Sequence, residues 1–291
     1  MFGISVTPYA EAYRQIVEQV LAAERGGLDL VGIQDHPYQR RFLDTFSLIA
    51  VLIGQTQRIR FFPDVSSLPM RPPAMLTKAA ASLDIMSGGR FELGLGAGAF
   101  WDAIGGMGGQ VRARGERLGA LEEAVRLIRA ALDVGPERRV VRGAGPAYPI
   151  SGYPAGPPPA HRVEIWIGAM APGALDLIGR LADGWVPGSG TEHVAKFKRL
   201  NARIDAAAEA AGRDPGEIRR IVNLGGGIGG EGEVSRSEPS ERWIDTLVSW
   251  AHEYRLDGFV FWPQDPGTQQ VERFASDVVP GVRQALSAGS R

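Results

Sequence analysis

The feature that most constrains this chain is a rhythm. Short apolar runs alternate with segments of helical period, and the pair recurs eight times. The runs are Phe2–Thr7, Leu30–Gln34, Ile59–Val65, Arg90–Gly96, Val163–Gly168, Trp185–Pro187, Ile218–Leu224 and Gly258–Trp262. Runs with little polar alternation read as strands buried on both faces. Between them, Ile16, Val17, Val20 and Leu21 recur at helical spacing, as do Leu118, Leu121, Val125, Ile128 and Leu132 within 116–132. Punctuation agrees with this division. Asp44 is placed to cap the second helix and Pro72-Pro73 to open the third, while Gly26-Gly27, Ser87-Gly88-Gly89 and Gly212 stop helices. Eight strand–helix units in 291 residues, with one compositional regime throughout, predict an α/β chain folded as a single (β/α)8 barrel domain over 1–291. An open doubly wound sheet is the competing fold. It lacks support because no G-x-G-x-x-G turn follows the first strand.

The rhythm breaks at 134–161, where prolines and glycines forbid a long helix or a central strand. We read this segment as an insertion over the barrel mouth, with a short hairpin around Tyr148. An exposed linker is the alternative, but the same alternation resumes afterwards. The glycine-rich, charged stretch Gly225–Ser237 is expected to be a mobile loop, and Pro280 is expected to bend the closing helix.

Barrel enzymes place their chemistry at strand C-terminal ends. Here those ends are poor in titratable groups: Asp35, His36, Asp64 and Asp102, with no lysine. Acid–base catalysis by side chains alone usually needs two matched groups, so a bound cofactor is the better carrier of the reaction. His36 is the best single catalytic residue, since it follows a strand and precedes Pro37; a structural histidine bonded to a backbone carbonyl is the alternative. Gly96-Ala97-Gly98 ends its strand in a loop almost without side chains, where a ligand can meet the backbone. Gly94 is assigned to packing. Gly168-Ala169-Met170-Ala171 leads from a strand into a helix, so free N–H groups and the helix dipole converge there on a phosphate site; an ordinary strand–helix turn is the alternative. Phe100, Trp101, Ile104 and Met107 either wall a substrate pocket or pack beneath the insertion.

Composition removes whole classes. There is no cysteine, so disulfides, thiolate metal sites and a cysteine nucleophile are excluded. Histidines and carboxylates show no metal-ligand spacing, and no G-x-S-x-G follows a strand. A net charge of −1 gives no reason to expect nucleic acid or an anionic membrane as partner. No apolar run approaches ~20 residues and no basic leader precedes the first strand, so a soluble cytoplasmic protein is expected.

SGGRFELGLGAG followed by FWDAI, spanning Ser87–Gly98 and Phe100–Ile104, resembles the signature of the bacterial-luciferase-like flavin and deazaflavin oxidoreductases. GAMAPGALDLIGRLADGW, from Gly168 to Trp185, resembles that family's fifth-strand segment, and the likeness extends along nearly all of the chain. The resemblance implies FMN or coenzyme F420 as cofactor, a small organic substrate, and a homodimer through the second and third helices. It implies that His36 faces the ring. It also implies a bulge or a non-proline cis peptide beneath the ring at Val65-Ser66-Ser67, with Asp64, Val65 and Ser66 as cofactor-binding residues. In one departure, Ala99-Phe100 stands where several deazaflavin dehydrogenases of the family carry a glutamate. Hydride transfer and monooxygenation both stay open, as do two rival functions: a non-catalytic flavin- or ligand-binding barrel, and a cofactor-free hydrolase or isomerase.

Overall fold

The alternation closes on itself. The computed structural model describes residues 1–135, 140–188, 194–229, 237–263, 265 and 267–288. In chain order the elements are β1 (Phe2–Val6), α1 (Tyr13–Arg25), β2 (Leu30–Ile33), α2 (Thr45–Ile53), β3 (Arg60–Pro63), β4 (Ser66–Ser67), α3 (Pro73–Ser87), β5 (Leu93–Gly96), α4 (Trp101–Gly106) and α5 (Arg117–Leu132). Then come β6 (Val140–Gly143), β7 (Ile150–Pro154), β8 (Ile165–Ile167), α6 (Pro172–Leu181), β9 (Gly184–Trp185), α7 (Val194–Ala210), β10 (Arg219–Ile228), β11 (Ser237–Glu238), α8 (Ser240–Tyr254), β12 (Gly258–Pro263), α9 (Gln269–Arg273) and α10 (Val279–Ala288). Nine strands run parallel in the order β3-β2-β1-β12-β10-β9-β8-β5-β4. A bridge from Phe61 to Phe91 carries β3 back towards β5, which nearly closes the barrel. Strands β3 and β4 are two pieces of the third stave, so the barrel has the eight staves expected. The run read from sequence as Ile59–Val65 breaks beside the place where the resemblance implies a bulge or a cis peptide: the Asp64–Val65 peptide is cis, and pairing changes partner across it.

Two apolar cores follow from the period-two alternation of side chains in a strand. Leu30, Phe62, Trp166, Ile221 and Val260 point inward and, with Val186, fill the barrel. Phe62 and Trp166 meet edge to face at 5.0 Å. Gly184 makes room for them, since a Cβ there would lie 2.5 Å from the Trp166 ring. The opposite faces of the strands pack against the helices in a second, larger core. Asp44 caps α2 as expected, its Oδ1 accepting from the Ser47 N–H at 2.8 Å, and Gly88 ends α3 in the left-handed region.

Two expectations are corrected. The hairpin forms, with β6 antiparallel to β7, but the insertion lies along the flank of the barrel rather than over its mouth. The Glu123 carboxylate on α5 accepts from the Ala147 and Tyr148 N–H groups at 3.0 and 2.7 Å, Lys78 on α3 donates to the Gly156 carbonyl, and none of its described residues lines the mouth. Val141 and Tyr148 are buried in the outer core, and that burial draws the segment sideways. The seventh stave runs on through Gly225–Ile228, because β12 continues to pair with it as far as Gly226; residues 230–236 of the anticipated loop lie outside the described set. In the closing helix, a π-helical turn over Phe274–Val278 precedes Pro280.

Candidate active site

At the C-terminal ends of the staves lie two adjoining cavities, of about 440 and 330 Å³. His36, Val65, Gly168, Ala169 and Met170 line both. Ser66, Gly96, Ala97, Gly98 and Ala171 line the larger, and Asp64 lines the smaller. Every residue assigned from sequence to catalysis or cofactor binding is therefore brought to one mouth, whereas Phe100, Trp101, Ile104 and Met107 line neither cavity. Asp102 lines neither: it sits exposed on the first turn of α4.

Asp35 anchors the loop that carries His36. Its buried carboxylate accepts from the Ser67 N–H at 3.0 Å and takes both prongs of the Arg71 guanidinium at 2.8 Å. Arg71 also reaches Asp44, which ties this loop to the start of α2. A fully occupied Asp35 holds geometry and leaves the chemistry to its neighbour. Burial lowers the His36 pKa, with Asp35 opposing, so the imidazole is neutral near pH 7. Its Nδ1 lies 2.8 Å from the Tyr38 hydroxyl. Burial, reinforced by Asp35, pushes that phenol up to about 12, so it stays protonated and is able to donate. With the phenol as donor, Nδ1 accepts and the ring proton sits on Nε2. Phe100 stands edge-on to the same ring at 5.5 Å.

The larger lobe is walled by backbone. A Cβ on Gly96 or on Gly168 would lie 2.8 Å from a Val65 methyl, so both must be glycine for the walls to close on Val65. Gly98 has φ of 97°, which L side chains rarely adopt. Among the described residues, the N–H groups of Ala97, Gly98, Ala99, Ala169, Met170, Ala171 and Gly173 have no backbone acceptor. The last of these lies in the first turn of α6, whose dipole favours negative charge. Arg114 and Arg117 complete the rim, Arg117 stacking over Trp101 at 4.0 Å. The buried Ser66 and Ser67 hydroxyls have no hydrogen-bond partner. Trp185 fixes the second loop by donating from Nε1 to the Ala169 carbonyl at 2.7 Å.

The smaller lobe has a different floor. Asp64 accepts from Asn223 Nδ2 at 3.2 Å and, weakly, from Ser5 Oγ at 3.4 Å. Burial pushes its carboxyl up to about 6. Sequence reasoning did not select Asn223, Gln34 or Trp262, which line this lobe. The signal was available, because Asp64, Asn223 and Trp262 each stand two residues beyond an inward-facing core residue: Phe62, Ile221 and Val260. The link from Tyr38 to His36 was also missed. Gly94 does prove to be a packing glycine, since a Cβ there would lie 2.0 Å from the Pro63 carbonyl oxygen. Among the described residues no cluster of ligands could hold a metal ion, and no helix is long and apolar enough to cross a membrane. His161 lies far from the mouth, between Asp84 and Glu92, and His252 is exposed on α8; His193 lies outside the described residues.

A barrel with a mouth built largely from bare amides and one histidine belongs to the class of barrel enzymes that bind a second molecule to do the redox or electrophilic chemistry. The chain belongs to the luciferase-like monooxygenase family, which it matches over residues 1–231. It is therefore an oxidoreductase acting on small organic molecules. An uncharacterized protein of Mycobacterium tuberculosis is 32% identical over 83% of this chain and 79% of its own length. An F420-dependent glucose-6-phosphate dehydrogenase of Gordonia bronchialis is 31% identical over 72% of this chain, a match that spans 63% of that enzyme. Among solved structures, an F420-dependent secondary alcohol dehydrogenase in complex with an F420-acetone adduct superposes with a TM-score of 0.84 at 16% identity, covering 97% of this chain and 99% of that one.

Proposed function

We propose that the larger lobe binds coenzyme F420 or FMN and that the chain transfers a hydride to or from a small organic substrate, with monooxygenation open to it if the cofactor is FMN. The observation that carries this is the convergence, in one cavity, of groups that need a planar polar ligand with an anionic tail. The Ser66 and Ser67 hydroxyls are buried without partners, the Gly96–Gly98 and Gly168–Ala171 loops offer free N–H groups, and Arg114 with the α6 N-terminus offers positive potential. The named relatives support F420 first.

Bound here, either cofactor supplies the centre that takes up or gives up hydride. The protein's own residues do the rest. Val65 and the two glycine-lined walls orient a flat ring. Ser66 and Ser67 supply hydrogen bonds, and Arg114 draws the tail. His36 Nε2 donates to the oxygen or nitrogen on which charge develops, while Tyr38 and Asp35 hold its tautomer and place. With Phe100 where a glutamate would stand, no second acid faces His36 from that side.

Titrating purified protein with F420 and with FMN, followed by absorbance and fluorescence, tests the reading. Stoichiometric binding of one is expected. Failure of both overturns it in favour of a cofactor-free barrel, and binding without turnover across a broad substrate panel favours a storage protein. We further propose a homodimer through α2 and α3 and a cytoplasmic site of action. Val51, Met75, Ile85 and Met86 on those helices are exposed, Met75 by 67% and Met86 by 63%, which supports a covered face.

A further inference from the structure

The two lobes have opposite electrostatic character. Arg114, Arg117 and the α6 N-terminus face the larger one. Among the described residues, no lysine or arginine lines the smaller. Among the described residues its only charged side chain is Asp64, whose oxygens are held by two long hydrogen bonds and by no cation. Beside it, Asn223 is 6% exposed and turns its amide N–H to Asp64, which leaves Oδ1 buried without a partner. A half-buried carboxylate without a counter-charge and a buried amide oxygen without a donor are both costly. The two residues are joined through the Asn223 Nδ2–Asp64 Oδ1 hydrogen bond of 3.2 Å and line one cavity, with Gln34 beside them and Val65, Met170, Val186, Pro187 and Trp262 around them. The missing group is one that brings positive charge and several N–H donors.

We propose that the smaller lobe is the substrate subsite and that it takes the ammonium group of an organic amine, held by Asp64 and the Asn223 carbonyl oxygen. This rests on the reading that the larger lobe holds the cofactor. The amine lies on the far side of the wall shared by both lobes, which His36 and Val65 form, and its apolar part lies against Val186, Pro187 and Trp262. An organic anion is rejected, because it would face Asp64 with no compensating cation.

The test uses three probes of one shape: benzylamine, benzyl alcohol and benzoate. Each is titrated into the whole protein at about pH 8, where the Asp64 carboxylate is ionised and benzylamine is cationic, and the change in tryptophan fluorescence is followed, with Trp262→Phe as the control for its source. Benzylamine is expected to bind at least about tenfold more tightly than benzyl alcohol, with benzoate weakest. Asp64→Asn is expected to abolish that preference. Equal binding of benzylamine and benzoate by the wild-type protein would overturn the proposal, and so would an unchanged preference in Asp64→Asn. The wild-type series needs no variant to fold. Cofactor binding without amine selectivity sinks this proposal alone, whereas absence of cofactor binding sinks the reading beneath it.

Discussion

His36 is flanked by two residues that act on it differently. Asp35 is spent on Arg71 and the Ser67 N–H, so it positions the loop, while the Tyr38 hydroxyl meets the ring at Nδ1. His36→Asn removes the Nε2 donor and is expected to lower kcat by ~10²–10⁴, the usual worth of a positioned acid. Cofactor affinity measured by fluorescence should stay within a few-fold, because the bare-amide walls are untouched. Asp64 makes a second prediction at this scale. Its folded pKa of about 6 exceeds the value near 3.9 of an unfolded chain, so the folded state binds the extra proton. The resulting stability is full below about pH 4 and is lost as pH rises through about 6. Above that, the ionised carboxylate is a cost, and Asp64→Asn is expected to stabilise the cofactor-free protein by about 1–3 kcal/mol at pH 8. A thermal melt in which Asp64→Asn is no more stable than wild type at pH 8 would refute this.

Among the elements, α3, β5 and the segment entering β8 meet at the end of the barrel opposite the mouth. His161 donates from its backbone N–H to Asp84 Oδ2 at 3.0 Å, and its ring lies 2.7 Å from Asp84 Oδ1 and 3.1 Å from Glu92 Oε1. Glu92 also holds Arg60 and accepts from the Glu164 N–H at 2.6 Å. The Glu92 hydrogen bond, ahead of the remaining charges of Glu92 and Asp84, raises the His161 pKa against the effect of burial. The stability this gives is present in full below about 6.5, the unfolded value, and declines as pH rises through the folded pKa. The melting temperature is therefore expected to fall on the alkaline side of neutrality. In His161→Gln that slope should flatten, with a loss of ~1–3 kcal/mol at pH 6 from two under-satisfied buried carboxylates. Denaturant titrations at several pH values would check both. Conservation of slope in the variant would place the linkage elsewhere.

Over the whole molecule, one apolar plug inside the barrel and one shell outside it set a rigid floor beneath a mouth of loops. The exposed apolar residues of α2 and α3 lie outside both cores. If they are buried between two copies, Met75→Glu combined with Met86→Glu should convert a dimer to a folded monomer in sedimentation, with its circular dichroism unchanged. A wild-type protein that sediments as a monomer at micromolar concentration would overturn that interface.

The sequence alone determined the eightfold alternation, the parallel barrel and the glycine-rich strand ends, because burial on both strand faces and helix punctuation are written locally in residue type and spacing. For the same reason His36, Gly96–Gly98 and Gly168–Ala171 were legible as one rim: a barrel sends every strand C-terminus to the same end. Tertiary structure alone decided which side chains meet across that rim. Asp64 and Asn223 are separated by 159 positions in the chain yet share a hydrogen bond, and only barrel closure brings them together. The same holds for the course of the insertion, which is set by where Val141 and Tyr148 find apolar cover, and for the role of Asp35, which depends on the reach of Arg71 from the next loop. Local pattern fixes which face of an element is apolar; long-range packing fixes which polar groups are left over to do chemistry.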